Sequence, residues 1–118
     1  MTDADASWVV LTASSAVDTA GVVPVDPFDV VVWRTAAGSA CVMESRCPHE
    51  WTHLGAEGVV DGDELVCCSH LWRFTTSGAG STLGRDGTRT ERASIVVFPC
   101  REIDDRIEAL IPKDRQTP

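Results

Sequence analysis

Two short segments of the chain carry the side chains best able to bind a metal. Cys47-Pro48-His49 and, after seventeen intervening residues, Cys67-Cys68-Ser69-His70 each offer a thiol and an imidazole. Thiolate sulfur and neutral imidazole nitrogen both suit borderline-soft metals. Structural zinc sites usually present Cys-x2–4-Cys and His-x3–5-His pairs, and neither segment does. A Cys-x-His loop facing a Cys-x2-His loop suits two metals better, the cysteines on one and the histidines on the other. A zinc site is the competing reading.

The run from Cys47 to Gly78, CPHEWTHLGAEGVVDGDELVCCSHLWRFTTSG, resembles the cluster-binding part of Rieske-type ferredoxins and of the Rieske domains of ring-hydroxylating oxygenases. The likeness includes Leu54-Gly55 after the first loop, and Trp72-x-Phe74 with Gly78 after the second. It continues more loosely through Trp33-Arg34, Gly38 and Glu44-x-Arg46 on one side. On the other side lie Phe98-Pro99 and Asp104 to Ile107, so that residues 8–111 are covered.

This resemblance implies an all-β, Rieske-like fold: an antiparallel β-sandwich base with a small cluster-binding subdomain, about residues 45–76, made of two loops on a hairpin. It implies one [2Fe–2S] cluster, with Cys47 and Cys67 on one iron and His49 and His70 on the other. The histidine rings are expected at the surface, as the electron's exit and the place where partners dock. Leu71 departs from the glycine many Rieske sequences have after the second histidine, and the His-Leu-Trp triplet is similar to ferredoxins of aromatic-hydrocarbon monooxygenases.

High-potential members of the family place Ser and Tyr hydroxyls against the cluster sulfurs where Trp72 and Phe74 stand here, and this chain has no tyrosine. Fewer donors leave the reduced state less stabilised. A potential at the low end of the span of about −150 to +300 mV is expected. The inter-loop disulfide of such members would fall at Thr52 and Ser69, so it cannot form.

A length of 118 residues allows a single domain. It is expected over 8–111, with flexible tails at 1–7 and 112–118. A hydrophobic content of 43% with 24% charged residues is that of an ordinary globular protein. The sequence lacks an 18-residue apolar run and a basic, apolar leader, so neither a membrane nor export is expected and a cytoplasmic location follows. A net charge of −8 argues against nucleic acid and favours transient docking on basic protein surfaces.

The expected function is therefore a soluble Rieske-type ferredoxin, a monomer passing one electron from an NAD(P)H-dependent flavin reductase to a terminal oxygenase. Such a protein catalyses nothing itself. The alternatives are a Rieske subunit fixed to an oxygenase catalytic subunit and a structural zinc-binding interaction module.

The elements that must position the motif read as strands. Trp8–Leu11 is a short buried strand, and Thr12–Asp18 a polar turn. Val22–Val25 and Phe28–Arg34 are β-branched runs separated by Asp26-Pro27, and Ala36–Ser39 turns into a strand at Ala40–Glu44. Gly58–Asp61 and Glu64–Cys67 form a hairpin about Gly62-Asp63 that links the loops, and Trp72–Phe74 leaves the second. Ser77–Arg92 reads as a surface loop partly shielding the cluster, and Ile95–Cys100 with Arg106–Leu110 as a last hairpin.

Other chemically capable residues receive blander readings. His53 is a polar neighbour of the first loop, and Trp51 either a docking contact or a cap against water. Trp72 and Phe74 pack behind the second loop, while Glu50, Glu57, Asp61, Asp63 and Glu64 solvate the surface or steer a basic partner. Cys41, Cys68 and Cys100 are free thiols.

Overall fold

Runs of β-branched residues set the frame of the protein, and strand Val30–Arg34 (β3) lies at its centre with all five residues buried. In a strand, alternate side chains point to opposite faces. Val30 and Val32 accordingly enter one core and Val31 and Trp33 another. The computed structural model describes residues 6–116.

Around β3 is a four-stranded sheet in the order β10-β4-β3-β2, with β2 at Val22–Val25, β4 at Ala40–Glu44 and β10 at Val97–Phe98. One face packs on a three-stranded sheet of β1 (Ala6–Ala13), β12 (Arg106–Pro112) and β11 (Cys100–Ile103). Between them lie Leu11, Val30, Val32, Val42, Phe98, Ile107, Ala109 and Ile111. Full burial of each larger apolar side chain contributes about 1.5–3 kcal/mol. These two sheets are the antiparallel base.

A five-stranded sheet covers the other side. Its strands run in chain order: β5 (Gly58–Asp61), β6 (Glu64–Cys67), β7 (Trp72–Thr75), β8 (Gly80–Leu83) and β9 (Arg89–Arg92). Leu54, Leu65, Phe74, Cys47 and Cys67 from this half join Val31, Trp33 and Met43 in the second core. Gly62 takes the positive φ that the tight β5–β6 turn needs. Polar ties complete the base: Arg34 donates from Nε to the Val17 carbonyl at 2.7 Å and pairs with Glu102 at 2.6 Å.

Several expectations are corrected here. Ser77–Arg92 is no surface loop, because β8 and β9 form a hairpin within it. Strand β9 (Arg-Thr-Glu-Arg) is exposed along its whole length, so no apolar alternation marks it in the sequence. The first strand is longer than expected and half-buried: Trp8 and Val10 face out, and the Arg101 guanidinium covers the Trp8 ring at 4.1 Å. Val97–Phe98 pairs with β4 rather than extending the last hairpin, which begins at Cys100 and turns at Asp104-Asp105.

At the chain ends, Ala6 and Ser7 belong to β1 and pair with Pro112 and Ile111. A short helix, α2 (Lys113–Gln116), follows β12 and is tied back by Gln116 to Ser7 at 2.8 Å. The rest of the expected tails, residues 1–5 and 117–118, lies outside the described residues.

Candidate metal centre

Two loops at one end of the five-stranded sheet bring Cys47, His49, Cys67 and His70 towards one another. The first leaves β4. It is closed by the Cys47 N–H donating to the Thr52 carbonyl at 2.9 Å, the Leu54 N–H donating to Ser45 at 2.7 Å, and a bridge between Arg46 and His53. A short helix, α1 (Leu54–Glu57), follows, and His53 caps it by accepting the Gly55 N–H at Nδ1, 2.9 Å away. That is the role of the third histidine. The second loop joins β6 to β7, and the Cys68 N–H donates to the Glu57 carbonyl at 2.8 Å, linking it to the end of α1.

The loops repeat one construction. In each, the carbonyl of the cysteine accepts the N–H four residues on, Trp51 to Cys47 and Leu71 to Cys67, both at 2.8 Å. The donating residue adopts a left-handed backbone in each case, φ 62° at Trp51 and 61° at Leu71. That conformation costs a large non-glycine residue about 1–3 kcal/mol. Both side chains are largely exposed, Trp51 at 65% and Leu71 at 62%.

The four donors segregate by type. Cys47 and Cys67 are buried, at 1% and 2% exposure, while His49 and His70 are exposed. The two thiols are near enough to interact: burial pushes the Cys47 thiol up, the His49 backbone N–H opposes this, and the Cys67 charge adds to the rise. The two imidazoles meet edge-to-face with ring centres 4.8 Å apart. His70 Nδ1 lies 3.2 Å from the Ser69 hydroxyl and 3.4 Å from a Glu50 oxygen.

A single tetrahedral ion needs all of its donors around one point. Among the described residues, the group of donors close enough for one ion is His49, Glu50 and His70, and it includes neither cysteine. A deep thiol pair beside a superficial imidazole pair suits a two-iron cluster instead.

Trp72 was expected behind the second loop. It is half-buried and stacks on His49, with ring centres 4.8 Å apart and planes 21° from parallel. Phe74 behind it is fully buried, as expected of a packing residue. Glu64 leaves the set of surface acids: it is buried and accepts from Arg73 Nε at 2.8 Å and Arg89 at 2.8 and 3.0 Å. The Arg89 guanidinium first, with Arg73, holds its carboxyl below the usual range. Arg73 also pairs with Asp61. All five cysteines are free, and burial pushes Cys41 up to about 12 and raises Cys100, so both are protonated at neutral pH.

The fold and site define an all-β domain that brings a buried cysteine pair and an exposed histidine pair together at one end of its five-stranded sheet. A model of the Rieske [2Fe–2S] domain family matches residues 7–99, and the chain belongs to that family. A Rieske-type [2Fe–2S] cluster is therefore its cofactor.

Over 77 residues the chain is 36% identical to the 4β-methylsterol monooxygenase of Methylococcus capsulatus, which takes in 62% of this chain and 21% of the relative. The chain thus spans about a fifth of that relative's length. Among solved structures it is similar to dicamba monooxygenase, with a TM-score of 0.74 and 20% identity over 92% of this chain and 34% of that one. A chain of the complex of reduced oxygenase and oxidised ferredoxin in carbazole 1,9a-dioxygenase is also similar. Its TM-score is 0.64 and its identity 19%, with 87% of this chain and 92% of that one covered. Among the described residues, no helix is long and apolar enough to cross a membrane.

Proposed function

We propose that Cys47 and Cys67 hold one iron of the Rieske cluster and His49 and His70 the other, and that the protein is a one-electron carrier. The observation that carries this reading is the separation of a buried thiol pair from an exposed imidazole pair. The cluster supplies reversible one-electron chemistry when bound.

The chain's own residues set its surroundings. The Cys47 and Cys67 side chains sit in the apolar core shared with Leu54, Leu65 and Phe74, which keeps water from that side. Trp72 holds the His49 ring by stacking, and the exposed imidazole edges offer the short path to a docked partner.

The donor is then an NAD(P)H-dependent flavin reductase and the acceptor a terminal oxygenase. The protein acts as a cytoplasmic monomer and catalyses no reaction of its own. Likeness over 92% of a chain from an oxygenase–ferredoxin complex supports the carrier reading. A second reading, a Rieske unit fixed to an oxygenase catalytic subunit, is favoured by the 36% identity to a monooxygenase nearly five times as long as the match.

Size-exclusion chromatography of the protein from its source cells, followed by stopped-flow oxidation by the oxygenase fraction, separates them. A carrier elutes alone and reoxidises at a rate that rises linearly with oxygenase concentration. Constant co-elution with a catalytic subunit contradicts the carrier reading.

A further inference from the structure

Among the described residues, six other than glycine adopt a positive φ: Ala20, Asp29, Trp51, Leu71, Asp104 and Asp105. Aspartate tolerates this region through local hydrogen bonding, and alanine is small. Trp51 and Leu71 are neither, and at both places a glycine would make the same turn without the steric conflict.

Core packing does not account for them, since both side chains are more than 60% exposed. They occupy equivalent positions in the two repeated turns, each anchored by its N–H to a buried cysteine carbonyl. Leu71 directly follows His70, and Trp51 lies two residues past His49. A costly backbone and an exposed apolar side chain, repeated at both rims of one site, have a common explanation in a contact outside the chain.

We infer that Trp51 and Leu71 form a two-point apolar contact by which the flavin reductase seats over the exposed imidazoles. The inference rests on the carrier reading above and adds the contact residues and the chemistry of the partner's face. That face has an apolar hollow bordered by basic side chains. The exposed Glu50 carboxylate lies between the two loops, next to His70, and Glu57 is exposed at the end of α1. The chain as a whole carries a net charge of −8.

The apolar pair and the acidic groups act differently. Charges steer encounter and are screened by salt, whereas apolar contact is not. One electron passes from the partner's reduced flavin to the protein, and no covalent bond forms or breaks.

The test uses the holoprotein, its variants Trp51→Gly/Leu71→Gly and Trp51→Asn/Leu71→Asn, and the flavin reductase purified from the source cells by its electron transfer to this protein. Both replacements accept a left-handed backbone, so folding and cluster content are kept, and the Asn pair serves where the Gly pair fails to fold. The expected result is a second-order reduction rate at least tenfold below wild type in both pairs. Its salt dependence, the rate of reduction by dithionite and the visible spectrum are all unchanged.

Wild-type rates in the variants, with full cluster content, overturn the two-point contact and leave the carrier reading standing. A reductase fraction that cannot be found, because the wild-type protein accepts electrons from none, overturns both. Concentration-dependent self-association of wild type in sedimentation, abolished in the variants with no change in reductase rate, assigns the pair to a second copy of this chain and also overturns the inference.

Discussion

The base and the cluster half of this protein are held together differently. In the base, β3 is buried on both faces, and Ile107, Ala109 and Ile111 of β12 close the core against it. The cluster half has β9 exposed throughout, shares its core with the two cysteines, and relies on a buried carboxylate between two arginines. The buried core between the two base sheets is made of apolar side chains. With the proposed ligands on iron, the cluster half would draw in addition on its metal, since binding to the folded form alone stabilises that form. The proposed iron ligands would thus also hold β5–β9.

Losing the metal breaks this comparison most severely. Cys67→Ser removes a proposed iron ligand, and the expected outcome is a colourless protein without a bound cluster. Hydrogen exchange then rises across β5–β9 while β1, β3 and β12 stay protected. Uniform loss of protection would mean that the halves are one cooperative unit.

Next come the two cores. Phe74→Ala should cost about 3–5 kcal/mol and Ile107→Ala about 2–5 kcal/mol, as both side chains are fully buried. The first should accelerate cluster loss, followed by decay of visible absorbance. The second should lower the denaturant midpoint of the iron-free protein.

Smaller effects sharpen the polar contrast. Glu64→Gln weakens hydrogen bonds to two arginines, at a cost of about 1–3 kcal/mol, read as faster exchange in β6 and β7. In the base, the Arg34 guanidinium holds the Glu102 carboxyl down to about 2, from a usual value of 4.5. A depressed folded value stabilises fully above the usual one and is lost as pH falls through the window from 4.5 towards 2. Urea unfolding of the iron-free Glu102→Gln variant should therefore show a shallower acid decline than wild type.

The sequence made legible what depends on spacing and on β-branched runs. Both Cys/His loops, the Gly62-Asp63 hairpin and strands β2 to β7 follow from such local signals. Features that depend on distant partners were hidden. Glu64 reads as a surface acid until Arg73 and Arg89, nine and 25 residues away, close over it. Strand β9 has no buried face to announce it, and it is aligned by its ladder to β8. The His49–Trp72 stack joins the first loop to the start of β7, which no periodicity connects. The left-handed turns at Trp51 and Leu71 run against residue preference, so only the repeated four-residue spacing after each cysteine signals them.

The proposed division of the four ligands is the centre of this account, and visible absorption with EPR of the anaerobically purified protein, before and after dithionite, tests it most directly. The account predicts a brown protein whose reduced form gives an EPR signal with the low average g of mixed histidine and cysteine ligation. A colourless protein holding one zinc would contradict it.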